Sequence, residues 1–157
     1  MARSSTAAAI PVETAPPLRL GPLETLLGYQ LRRAQLVTFQ GFAEAMAGFG
    51  LSPGQLGVLF LVEANPGLNQ TALGRALGIE RSSVVAVLDR LEKRDLLERT
   101  KPDRRSHALY LTEAGRRLLV ELRPVLEAHE REIASALSVE ERALLMSLLR
   151  RIGRDAG

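Results

Sequence analysis

Cysteine and tryptophan are absent from this chain, and aromatic residues make up only 4% of it. Without cysteine there can be no disulfide, no thiolate metal ligand and no thiol-based redox sensor. No run approaches the ~20 consecutive apolar residues that a membrane-spanning helix needs. The opening residues, Met1 to Ala9, also lack the apolar core of a secretion signal. The expected compartment is therefore the cytoplasm, with no membrane partner. There is no glycine-rich phosphate loop and no nucleophile elbow. The two histidines, His107 and His129, are far apart in sequence. His129 beside Glu127 and Glu130 lacks the paired spacing of a zinc site, which needs three or four ligands. Neither an enzyme, a metal nor a cofactor is expected.

What is present is ordinary for a water-soluble fold: 46% apolar and 25% charged residues over a length suited to one domain. Leucine and alanine dominate, which favours helix. The net charge of +3 permits a nucleic-acid partner without requiring one.

Residues 1–20, with Pro11, Pro16 and Pro17 and no sustained period, read as a disordered tail. Residues 21–157 read as one unit. Gly21-Pro22 opens a helix that carries Leu23, Leu26, Leu27, Leu31, Phe42 and Ala45 at helical spacing to about Gly48. Ser52, Pro53 and Gln55 form a capping box for an apolar helix to Ala64, stopped by Asn65-Pro66-Gly67. Thr112 caps a long helix containing Pro124, which should kink it. Ser138 and Glu141 cap the last helix, which carries Leu144, Leu148 and Ile152. The segments 21–50 and 113–153 hold more leucine than one small core needs. Leu23, Leu26, Leu27, Leu144, Leu148 and Ile152 are the expected contacts of a homodimer.

The stretch 51–112 carries the functional signal. Asn69 caps a short helix, Gln70 to Leu77, and Gly78 supplies the left-handed residue that ends it. A second helix, Arg81 to Arg94, follows at once, and a helix pair joined through a glycine turn is a helix-turn-helix. Val84, Val87, Leu88 and Leu91 should bury against Leu73, Leu77 and Ile79. Arg81, Ser82, Ser83, Val85, Ala86, Asp89 and Arg90 should then face outward. Arg81 and the free N–H groups of the helix start suit phosphate, small residues allow close approach, and Val85 and Ala86 can touch thymine methyls. Thr71, on the preceding helix, is a further candidate contact. Two short strands, Leu96 to Thr100 and Ser106 to Leu111, flank the turn Pro102-Asp103-Arg104. Between them Arg99, Lys101, Arg104 and Arg105 stand against Asp103, so the hairpin tip can lie on the phosphate backbone or enter a minor groove. Asp103 would fix the turn or orient an arginine.

The run from Leu73 to Ile79, the run from Arg81 to Arg94, and the segment Asp103-Arg104-Arg105 followed by Leu109 to Gly115 together resemble the MarR family of regulators. The resemblance spans about Leu23 to Ile152. It implies a mostly α fold with a small β-wing, a winged helix-turn-helix with intertwined N- and C-terminal dimerisation helices. It implies a repressor on an inverted-repeat operator in double-stranded DNA, released by a small aromatic acid or acyl thioester. Tyr29, Arg32, Arg33, Phe39, Phe60 and His129 are the candidate effector contacts on that reading. Two departures stand out: Val85 and Ala86 replace larger polar residues, and Asp95 replaces the usual glycine before the first wing strand. The alternative is a helical interaction protein that has lost DNA binding, against which the wing arginines argue.

Overall fold

The computed structural model describes residues 18–100 and 108–152. The expectations for the tail up to residue 17 and for Lys101, Asp103, Arg104, Arg105 and His107 lie outside the described residues. The chain falls into two compact units, Met1–Ala34 and Gln35–Gly157.

In the first unit the expected continuous helix is broken. A 3₁₀ turn, Gly21–Thr25, has Pro22 in its first positions, and Leu26 then turns to extended backbone (ψ 116°). Helix α1, Leu27–Ala45, begins only after that residue. The Thr25 hydroxyl donates to the Pro22 carbonyl (3.1 Å) and the Gln30 amide to the Glu24 carbonyl (2.7 Å), so local side-chain bonds compete with helical continuation. Leu23, Leu26 and Leu27 are 40%, 51% and 64% exposed, far from core burial.

The second unit holds the core. After α1, a 3₁₀ turn at Ala47–Phe49 ends on Gly50 in the left-handed region. Helix α2, Pro53–Ala64, starts with the expected reciprocal cap: Gln55 N–H donates to Ser52 Oγ and Ser52 N–H to Gln55 Oε1. Leu56, Val58, Leu59 and Val62 of α2 are buried, each contributing about 1.5–3 kcal/mol by removal from water. Strand β1, Leu68–Asn69, was not expected, being only two residues long. It leads into α3, Gln70–Leu77, and α4, Arg81–Lys93. Strands β2, Leu97–Thr100, and β3, Ala108–Leu111, are antiparallel, and β1 joins the far edge of β3, giving the order β1-β3-β2. Helix α5 runs from Glu113 through Pro124 to Ile133, and α6 spans Val139–Ile152.

Two contacts tie the sheet to α5. The Thr112 hydroxyl donates to the Asp95 carbonyl (2.5 Å) and accepts from Gly115 N–H (3.0 Å). A Cβ at Gly115 would stand 2.0 Å from the Leu96 carbonyl oxygen, so the first turn of α5 can rest there only on a glycine. Asp95, the sole non-glycine with positive φ among the described residues (55°), closes the end of α4 in the left-handed region. That conformation costs L-residues roughly 1–2 kcal/mol, less for Asp. Asp95→Gly is therefore expected to raise stability by about 0.5–1 kcal/mol, or about 1–4 °C in Tm. Differential scanning calorimetry checks this, and an unchanged or lowered Tm contradicts it.

Helix α6 has its capping box, with Ser138 N–H on Glu141 Oε2 (2.8 Å) and Glu141 N–H on Ser138 Oγ (3.2 Å). None of its residues is buried. Isolated helices of this length are marginal in water, so α6 needs a surface to cover its leucines.

Candidate nucleic-acid interface

Local chemistry sets the geometry of the helix pair. Asn69 Oδ1 accepts from Ala72 N–H (2.8 Å) at the start of α3, and Gly78 (φ 63°) ends the helix. Ile79 N–H returns to the Gly74 carbonyl (3.1 Å), and a Cβ on Gly74 would meet Val84 Cγ2 at 3.2 Å. The two helices thus cross at a glycine. Val84, Leu88 and Leu91 are fully buried beneath, with Val87 and Leu77 at the core's margin. Ile79, expected to be buried with them, is 36% exposed, because it sits in the turn itself.

The outer face of α4 is exposed as expected at five of its seven positions, whereas Asp89 is half-buried and paired with Arg99. Arg81, Ser82, Ser83, Ala86 and Arg90 are exposed, Val85 is half-buried, and Thr71 of α3 is exposed. Glu80 holds the N-cap position without a side-chain cap bond, so the first N–H groups of α4 are not satisfied by their own cap. An uncapped helix N-terminus flanked by an arginine and two serines is suited to an anionic oxygen.

Three arginines have roles that the sequence did not disclose. Arg99 of β2 was counted with the wing cations, but its guanidinium pairs with Asp89 (2.5 Å) and Glu92 of α4. The hydrogen bond to Glu92, then that to Asp89, pushes its pKa further up against the opposing effect of burial. Arg99 therefore joins the hairpin root to α4 instead of offering charge to a partner. Arg94 donates to the Phe49 and Gly50 carbonyls (2.7 Å each), tying the end of α4 to the end of the 3₁₀ turn after α1. Arg123 of α5 forks onto both carboxylate oxygens of Glu63 (2.7 and 2.6 Å) and lies 5.4 Å from the Phe60 ring centre. Each of these pairs joins residues distant in sequence, where no spacing rule applies.

The candidate effector residues divide between the units. Tyr29 is half-buried and Arg32 and Arg33 are exposed on the first turns of α1, in the first unit. In the second unit Phe39 is half exposed, Phe60 is half-buried beneath Arg123, and His129 of α5 is 5% exposed. His129 meets Phe42 edge-to-face (centroids 6.0 Å, interplanar 74°), and its Cε1 would lie 3.0 Å from a Cβ on Gly41. Its Nε2 is buried without a hydrogen-bond partner among the described residues. An unpaired buried nitrogen costs about 1–3 kcal/mol.

No helix of the described residues is long and apolar enough to cross a membrane. The MarR family profile matches residues 49–106, which include α2, α3, α4 and β2 and stop short of β3. A protein of Thauera aromatica assigned as the transcriptional regulatory protein for the hcr operon is 36% identical over 138 residues, covering 86% of this chain and 83% of that protein. The transcriptional repressor CouR bound to a 23-mer DNA duplex superposes with a TM-score of 0.84 at 44% identity, covering 88% of this chain and all of that one. CouR bound to p-coumaroyl-CoA superposes with a TM-score of 0.82 at 41% identity, covering 88% and 99%. With this fold, this helix pair and these relatives, the chain belongs to the MarR family of transcriptional regulators.

Proposed function

We propose that the chain is a dimeric cytoplasmic repressor that holds an inverted-repeat operator and releases it on binding an aromatic acyl thioester. The observation that carries this reading is the exposed, side-chain-uncapped start of α4, in a chain 44% identical to a repressor whose structure contains DNA. Arg81, Ser82 and Ser83 would meet the phosphate backbone and nearby base edges, and Val85 and Ala86 the base edges of the major groove. Thr71 and Arg90 flank that face, Lys101, Arg104 and Arg105 would serve the backbone or an adjacent minor groove, and Asp103 would fix the turn or orient an arginine. In a two-fold dimer the two copies of α4 stand about 34 Å apart, one turn of DNA. The thioester is favoured over a free acid because CouR, at 41% identity, is bound to p-coumaroyl-CoA. Phe39, Phe60 and His129 of the second unit are candidate contacts for its aromatic end.

The test is fluorescence anisotropy with the chain's own upstream DNA at about 150 mM salt, with unrelated DNA of equal length as control. Specific binding is expected, and saturating p-coumaroyl-CoA should weaken it at least about tenfold. Equal affinity for both DNAs contradicts the operator reading. Binding indifferent to that thioester and to benzoyl-CoA contradicts the effector reading.

A further inference from the structure

We propose that His129 selects effectors by a hydroxyl on their aromatic ring, an inference that rests on the aryl-thioester reading above. Three observations converge on this residue. It is 5% exposed, and its Nε2 has no hydrogen-bond partner among the described residues. Its ring edge abuts Phe42, so one wall of the position is aromatic. The opposing backbone of α1 is glycine: a Cβ on Gly41 would lie 3.0 Å from Cε1 and 3.6 Å from Nδ1, tighter than ordinary contact at the first of these atoms. The helix thus approaches the imidazole closely at a glycine, where a Cβ would press the ring aside by a few tenths of an ångström.

The chemistry of the surroundings narrows the ligand group. Gly41 and Phe42, two neighbours against the ring, bear no charge and offer a carboxylate or the phosphates of a thioester carrier no partner. A phenolic hydroxyl would not. Neutral imidazole offers Nε2 either as an N–H donor or as a lone-pair acceptor, and a phenol can answer both. Its ring can pack against Phe42 in place of the contacts it displaces. The subsite is closed in this conformation, and entry requires the His129 or Phe42 ring to turn. A site that leaves a polar group unpaired when the ligand lacks its partner discriminates against that ligand.

Direct titration of the full-length protein, without DNA, compares p-coumaroyl-CoA with cinnamoyl-CoA, which differs only in lacking the ring hydroxyl. The wild type is expected to prefer the hydroxylated ligand by about tenfold or more. His129→Leu should bring the two thioesters to within about threefold of each other, and His129→Gln should restore part of the preference. A readout independent of the variants comes from ¹⁵N-histidine labelling, since the chain has only two histidines. The His129 Nε2 resonance should move with p-coumaroyl-CoA and not with cinnamoyl-CoA. Equal wild-type affinities, or a resonance that answers both ligands alike, overturn the proposal and leave the thioester reading standing. If neither thioester binds, both fall.

Discussion

Arg99→Ala is expected to weaken operator binding by about 100-fold or more in a chain that still folds. The guanidinium bridges Asp89 and Glu92, which lie one turn apart on α4, and so holds β2 against that helix. The Arg99 side chain is 20% exposed and its partners are 47% and 28% exposed, between the fully buried and the solvated case. Breaking a buried pair costs about 3–5 kcal/mol and a solvated one about 0–1. An intermediate loss of about 1–3 kcal/mol of stability follows, within the margin of an ordinary domain. The larger consequence is electrostatic. Two uncompensated carboxylates would then stand on the helix proposed to approach phosphate, and 100-fold corresponds to about 2.7 kcal/mol of added repulsion and lost orientation. Arg99→Lys should recover only part of the affinity, because Nη2 makes both contacts from the far end of the guanidinium, beyond the reach of the shorter lysine stem. Adding Asp89→Asn and Glu92→Gln to Arg99→Ala separates the causes: recovered affinity points to repulsion, continued weakness to a displaced hairpin. Anisotropy at fixed salt, with a thermal melt of each variant, measures both effects. Affinity within about threefold of wild type would refute the assigned role.

The features legible in the sequence are those in which cause and effect lie within one or two turns. The Ser52/Gln55 and Ser138/Glu141 boxes, the Asn69 and Thr112 caps and the Gly78 helix end are local hydrogen-bond or steric problems with few solutions. The inward stripe Val84, Leu88 and Leu91 follows from helical period alone, and with it the outward direction of Arg81, Ser82, Ser83 and Ala86. The break at Leu26 was hidden because the apolar residues on either side keep helical spacing while Gln30 and Thr25 bond backbone carbonyls out of register. Strand β1 was hidden because two residues have no period, and its pairing with Leu109 and Ala108 is decided by the sheet. Arg99 reads in the sequence as a wing cation and the ties of Arg94 and Arg123 have no signal there, since an arginine's partner across the fold leaves no mark in its own neighbourhood. His129 was a candidate on its helix, but its burial against Gly41 and Phe42 is a tertiary fact.

Leu144→Glu combined with Leu148→Glu is expected to yield a monomer at micromolar concentration and to reduce operator affinity by about 10³-fold. On α6 these two residues are 60% and 40% exposed, with Ile152 at 54% and Leu145 and Leu149 at 43% and 39%. A fourteen-residue helix with no buried residue and this many exposed large side chains has gained almost nothing from its own chain. Covering the two leucines by a second copy would contribute about 1.5–3 kcal/mol each, and two carboxylates in each copy of the interface would both forfeit that and add unpaired charge. The monomer keeps α3, α4 and the hairpin, so its contacts to one half-site survive. What is lost is the linkage of the two half-sites, which makes the second contact intramolecular at an effective concentration of order millimolar. Sedimentation velocity and anisotropy on full and half-site duplexes separate the two effects. The variant should bind a half-site about as well as wild type binds it, and gain little from the second half. A variant that remains dimeric, or a monomer that still distinguishes the full site from the half-site by more than about tenfold, would refute the assignment of α6 as a dimer helix.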